Sequence, residues 1–205
     1  MNIYESVVGN IDREDIQALA KLARGSHQIL EFGSGGSTQV FAQFSPPTAS
    51  VISVDTSPDW QLRTAENLRK MGSGYDQGVQ FIALDGWRAH LTDHCWFDLI
   101  FVDGLESERQ RFAAEAWDLL MPGGVMAFHD CRWPQIARGI FQTALEHFLE
   151  VERIDYGIGN SNVAAILKKP EMPAPHPPPP PLEDWMTAKN FSAPPPRWPT
   201  RRGPK

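Results

Sequence analysis

The stretch Ile29 to Thr38, ILEFGSGGST, decides the fold: a short apolar run carries a carboxylate, Glu31, near its end and passes through Gly33, Ser34, Gly35 and Gly36 into a helix start. Glycines at such a junction let the backbone turn sharply and approach a ligand closely, and the following helix presents unpaired N–H groups. Asp55 closes the next apolar run, 22 residues after Gly33, where a strand-end carboxylate can accept hydrogen bonds from ribose hydroxyls. A dinucleotide site shares this geometry, but its GxGxxG pattern needs glycine where this chain has Thr38 and does not predict Glu31.

Outward from this stretch, β-rich runs alternate with helical ones. The strand candidates are Gln28 to Phe32, Val51 to Val54, Val79 to Leu84, Phe97 to Val102, Val125 to Phe128, Val151 to Tyr156 and Asn162 to Leu167. The first five are nearly continuous in apolar residues, which suits a parallel sheet covered by helices on both faces. Asp12 is placed to cap a leading helix through Ala23. Ser57 and Pro58 start another that Gly72 ends after Met71, and Ser107 with Gln110 has capping-box spacing before a helix that stops at Pro122. Pro134 opens a helix with Ile136, Ile140, Phe141, Leu145 and Phe148 on one face. Only Gly157 to Ser161 join the last two strands, too short for a parallel crossover, so the seventh strand is expected to run antiparallel to the sixth. The expectation is a Rossmann-like, doubly wound α/β domain with a seven-stranded sheet, spanning residues 1–169.

From Pro170 the composition changes. Thirteen of the 18 prolines lie there, with too few aliphatic residues for a core, so residues 170–205 read as a disordered or polyproline II-like tail. Its Trp185, Met186, Phe191 and Trp198 suit docking on the domain or on a protein partner. The net charge is −6 and the tail is basic, which leaves the body at −8. That sign repels polyanions, disfavours a nucleic-acid substrate and makes a small-molecule acceptor the better expectation. Cys95 and Cys131 form no CxxC pair, no apolar run reaches the length of a membrane helix, and the N-terminus lacks the pattern of a leader, so a cytoplasmic protein with reduced thiols is expected.

With LEFGSGGST, FDLIFVDG and MPGGVMAFHD in hand, the chain resembles the class I S-adenosylmethionine-dependent methyltransferases, and within them a small bacterial group associated with O-methylation of sugars and other small molecules. The resemblance is strong from Ile29 to Asp130. It implies that Glu31, Gly33, Ser34 and Gly35 line the methionine part of the cofactor, that Asp55 holds its ribose, and that Asp85 and Gly86 face the adenine, with Trp87 stacking nearby. Asp103, His129 and Asp130 end neighbouring strands at the sheet edge where open α/β folds bind ligands. There the resemblance implies catalytic roles for all three, with Asp103 also beside the cofactor.

Metal-dependent relatives place oxygen ligands at these strand ends, so Asp103 and Asp130 are candidate ligands for magnesium, which would orient a substrate hydroxyl and lower its pKa. The chain departs from that pattern: Cys131 stands where catechol-type relatives have Asn, and Leu105 where the sugar-modifying group often has His. A metal-free site with His129 as general base is therefore the alternative. A noncatalytic module of the same fold that presents its tail to a partner, and a nicotinamide-dependent oxidoreductase, are the rival functions.

Overall fold

The computed structural model describes residues 7, 9, 11–72, 74–91 and 96–170. The expectations for Cys95 and for the tail, including its partner, lie outside the described residues.

Seven strands form one sheet: β1 (Gln28–Phe32), β2 (Ser50–Asp55), β3 (Val79–Ala83), β4 (Phe97–Val102), β5 (Leu120–Phe128), β6 (Val151–Tyr156) and β7 (Ala164–Lys168). Their order is β3-β2-β1-β4-β5-β7-β6. The five strands from β3 to β5 pair in parallel, while β7 inserts between β5 and β6 and runs antiparallel to both. The short β6–β7 connection predicts this reversal. Alternation along each strand sends side chains to two separate cores. Leu30, Phe32, Ile100, Val102 and Phe128 pack with Phe112, Ile136 and Phe141 on one face, whereas Ile29, Leu99 and Phe101 pack with Leu19 and Phe41 on the other.

The helices are α1 (Arg13–Ala23), α2 (Gly36–Phe44), α3 (Pro58–Met71), α4 (Arg109–Ala116) and α5 (Pro134–Glu146). The start signals of α3 work as read, since Ser57 accepts a hydrogen bond from the Trp60 N–H at 3.2 Å and Gly72 ends the helix at φ 150°. Two cap expectations are corrected. Asp12 occupies the N-cap position of α1 but makes no side-chain cap bond. Ser107 and Gln110 form no capping box, because the chain makes a 3-10 turn over Glu106–Glu108 before α4. The helix also stops at Ala116, and a 3-10 turn leads directly into β5. The MPGG segment is therefore part of the fifth strand rather than a helix terminator. Gly124 is required there, since a Cβ would lie 2.8 Å from the Leu120 side chain and 2.9 Å from the Met121 carbonyl.

The reading of five strands buried on both faces also needs correction at β3, where only Ile82 is buried. As an edge strand it has a neighbour on one side only. Among the described residues no helix is long and apolar enough to cross a membrane.

Candidate active site

Strand β1 is the point where the order of strands reverses, with β2 on one side and β4 on the other, so the loops after β1 and β4 diverge above the carboxyl edge of the sheet. At their first residues, however, the two loops are in contact at Gly33. It sits at φ 98°, and a Cβ there would stand 2.4 Å from the Gly104 nitrogen, so only glycine lets the two loops touch. The Gly33 N–H donates to the Val54 carbonyl at 2.8 Å, and the Ser34 N–H donates to Asp55 Oδ2 at 2.7 Å. Asp55 Oδ1 accepts the Ser57 N–H at 2.8 Å, so one carboxylate ties the glycine loop to the start of α3.

Glu31 lies beneath the loop and does not line the cleft above it. Its side chain is fully buried and accepts hydroxyls from Ser37, from Thr38 at 2.6 Å and from Ser53 at 2.7 Å. Thr38 in turn accepts the Gly35 N–H at 2.9 Å, which links the carboxyl group to the loop backbone. Burial pushes the Glu31 carboxyl up to about 7, against the lowering effect of the three hydroxyls and with a further rise from the charge of Asp103.

A cleft of about 210 Å³ above the loop is lined by Gly33, Ser34, Gly35, Asp55, Trp60, Asp103, Gly104 and His129, among others. Trp60 was not anticipated. Its indole stands over Gly35, where a Cβ would come within 3.3 Å of Nε1. A second cleft, over the ends of β2 and β3, is lined by Thr56, Leu84, Asp85 and Gly86. A small cavity lined by Gly33, Asp55, Thr56 and Leu84 shares wall residues with both. Trp87 also borders the second cleft, although most of its ring is buried, edge-on to Phe32 with centroids 5.0 Å apart.

Asp103, His129 and Asp130 meet at the ends of β4 and β5, as the strand reading predicts, but in company that the motifs do not announce. Arg109, the first residue of α4, is buried, and its Nη2 donates to Asp103 Oδ1 at 2.6 Å and to Asp130 Oδ2 at 3.0 Å. Its Nη1 donates to the His129 carbonyl at 3.0 Å. His129 Nε2 lies 3.0 Å from Asp15 on α1, and its Nδ1 lies 3.4 Å from Asp103. Asp15 is nearly fully buried and also accepts the Asn162 N–H at 2.6 Å, while Asn162 Nδ2 donates to Asp130 Oδ1 at 3.1 Å.

Burial alone would lower the His129 pKa. Hydrogen bonds to Asp103 and Asp15 and the charges of Asp103 and Asp130 outweigh it and raise the ring to about 10. At neutral pH both nitrogens donate, and no lone pair is left to take a substrate proton. Burial also raises Asp15, but its bonds to His129 and Asn162 leave it below the ordinary carboxylate range.

Asp15 and Arg109 carry a sequence signal that motif reading passes over. Each is a charged residue on the apolar stripe of its helix, Asp15 with Ala18 and Leu19, Arg109 with Phe112, Ala113 and Ala116. Such a residue is buried with its charge, and a buried charge needs a partner.

The magnesium expectation can be tested on these distances. Asp103, His129 and Asp130 do offer ligand atoms within 4.8 Å of one another. The arrangement nevertheless does not fit the ion, because Arg109 Nη2 already bridges the two carboxylates and the remaining donor is an imidazole nitrogen, a poor partner for a hard cation. Cys131 takes no part: its side chain is buried, and burial pushes its thiol up to about 11. Asn162, from the β6–β7 connection, supplies the amide contact to Asp130.

Residues 30–131 match the family model of a methyltransferase domain. No curated protein matches the chain. Among solved structures it is similar to the O-methyltransferase TomG of Streptomyces achromogenes in complex with S-adenosylmethionine, with 19% identity over 78% of this chain and 82% of that one and a TM-score of 0.64. It is also similar to an O-methyltransferase of Bacillus cereus in complex with S-adenosylhomocysteine, with 17% identity, 80% and 86% coverage and a TM-score of 0.63. A methyltransferase of Geobacter sulfurreducens gives 17%, 81%, 82% and 0.59. The matched segment runs from β1 to just past Asp130 and holds most of the residues that line the cleft, so over that segment the chain is similar to the methyltransferase domain family, and its fold is that of S-adenosylmethionine-binding O-methyltransferases.

Proposed function

We propose that this chain transfers the methyl group of S-adenosylmethionine to a hydroxyl oxygen of a small-molecule acceptor, a sugar being one class in view. The observation that carries this reading is the joint lining of one cleft by the glycine loop, Asp55, Asp103 and His129. The bound cofactor supplies a methyl group on a sulfonium, which an oxygen held in line with the departing sulfur can take. The turn at Gly33, Ser34 and Gly35, whose own amides hold the loop in shape, and the N-terminus of α2 border the place of the polar methionine end. Each Asp55 oxygen accepts one N–H and retains a second lone pair for a ribose hydroxyl. Asp85 and Gly86, reached past Thr56 and Leu84, suit the adenine edge. Glu31 works from below, holding the loop through its hydroxyl bonds.

Asp103 faces both the cleft and the cluster, and its carboxylate takes the hydrogen bond of the acceptor hydroxyl, then its proton as the methyl group moves. His129, as a cation, fixes its orientation, and Asp130 shares the Arg109 donor with Asp103. Binding decides the cofactor assignment. S-Adenosylhomocysteine is expected to raise the melting temperature, since a ligand that binds only the folded state stabilises it by mass action. Asp55→Ala should abolish most of that rise, and stabilisation by NADH instead would overturn the reading.

A further inference from the structure

Arg109 has no role in holding the cofactor, yet its buried guanidinium is held by four acceptors. Only 7% of the residue is exposed, and it lies on the apolar stripe of α4 between the two strand ends. One terminal nitrogen, Nη2, reaches Asp103 Oδ1, Asp130 Oδ2 and the Gly104 carbonyl, at 2.6, 3.0 and 3.4 Å. The other reaches the His129 carbonyl at 3.0 Å. The buried Nε has no hydrogen-bond partner, so the side chain has kept its grip on the carboxylates at the expense of its own satisfaction.

Three carboxylates converge here, from Asp15, Asp103 and Asp130, and a guanidinium is the cation that no accessible pH removes. From this geometry we infer that the Arg109 guanidinium is the resident cation of the site. It stands between Asp103 and Asp130 where a divalent ion would otherwise bridge them, so the intact chain takes up no divalent ion there. Removal of the guanidinium alone turns the cluster into a divalent-cation site. Two carboxylate oxygens that now accept from one nitrogen would then be free to act as hard ligands. The guanidinium also joins the loop after β4 to the loop after β5, since it bonds to carbonyls of both, and so it is a positioning residue for Asp103.

The test is calorimetric titration of the full chain with manganese(II) chloride, which reads cation binding directly and stands whether or not S-adenosylhomocysteine binds. The wild type is expected to show no saturable site. Arg109→Met, which keeps the aliphatic bulk, is expected to gain one saturable site per chain, to lose it again when combined with Asp130→Asn, and to melt at a higher temperature with the ion than without it. Arg109→Lys, which restores the charge, should resemble the wild type. A saturable site in the wild type that Asp103→Asn removes would overturn the inference, and so would a folded Arg109→Met that takes up no ion. Should Arg109→Met fail to fold, the wild-type titration still decides: a saturable site lost in Asp103→Asn overturns the inference and its absence supports it.

Discussion

The buried carboxyl of Glu31 has a consequence that can be measured as stability. Folded, it holds its proton up to about 7, against an ordinary value of 4.5. Between those two values the folded chain binds a proton that the unfolded chain has released, so this group makes stability fall as pH rises and leaves it level above the window. Glu31→Gln keeps the shape and an acceptor oxygen but cannot ionise. Urea denaturation from pH 4.5 to 7.5 should show the wild type losing stability relative to this variant, by at most about 1.4 kcal/mol per pH unit, the limit for one proton. Parallel curves would mean that Glu31 is ionised in the folded protein across the whole range. His129 acts in the next window with the same sign. Its stabilising charge is fully present below about 6.5 and is lost as pH rises toward 10, so the alkaline side of the profile should keep falling after the Glu31 window closes.

At the scale of elements, the loop after β1 and the start of α3 differ in how much they tolerate. Ser57 contributes one hydrogen bond to the first turn of α3, and Ser57→Ala is expected to remove about 1 kcal/mol, the usual loss for such a cap. Gly33→Ala must push its methyl group into the backbone of Gly104 from a positive φ, with no flexible side chain to move aside. Its loss should exceed that of Ser57→Ala by more than about 2 kcal/mol, since it combines strain with a clash between two packed loops. Chemical denaturation of the two variants side by side checks the order; equal losses would show that the β1 and β4 loops part easily. The helix-cap signals at Asp12 and Ser107 mislead for a shared reason. A capping side chain is one way among several to satisfy a helix start, and a preceding 3-10 turn before α4 supplies another.

For the whole molecule, the antiparallel pair β6–β7 closes the sheet and also anchors the end of the domain. Lys168 Nζ is buried against Glu150 at 3.1 Å and the Leu120 carbonyl at 3.1 Å, and the backbone of Lys169 bonds to the Glu150 carbonyl and to the Gly123 N–H. These contacts support placing the domain boundary just after residue 169, as proposed from the proline count. A chain ending at Pro170 is therefore expected to melt cooperatively at the temperature of the full chain and to retain binding of S-adenosylhomocysteine. Loss of the cooperative transition in scanning calorimetry would place part of the fold beyond that point. The acidic body, at −8, suits a small acceptor better than a polyanion, and this bears on the function at the same scale.

Much of this architecture was legible in the chain because its causes are local. Apolar runs at strand length, glycines at a sharp junction, a proline after a serine and a five-residue connection between the last strands act over a few residues, and each predicts its element or its direction. Glu31, Asp55, Asp103, His129 and Asp130 were legible as strand-end polar groups for the same reason. Their working state was not. The proton on His129, the occupant between Asp103 and Asp130, and the retreat of Trp87 into the core depend on Asp15, Arg109, Asn162 and Phe32, and three of these stand on elements far away along the chain. Charge and burial act through space, and packing alone decides which distant side chain arrives next to a carboxylate.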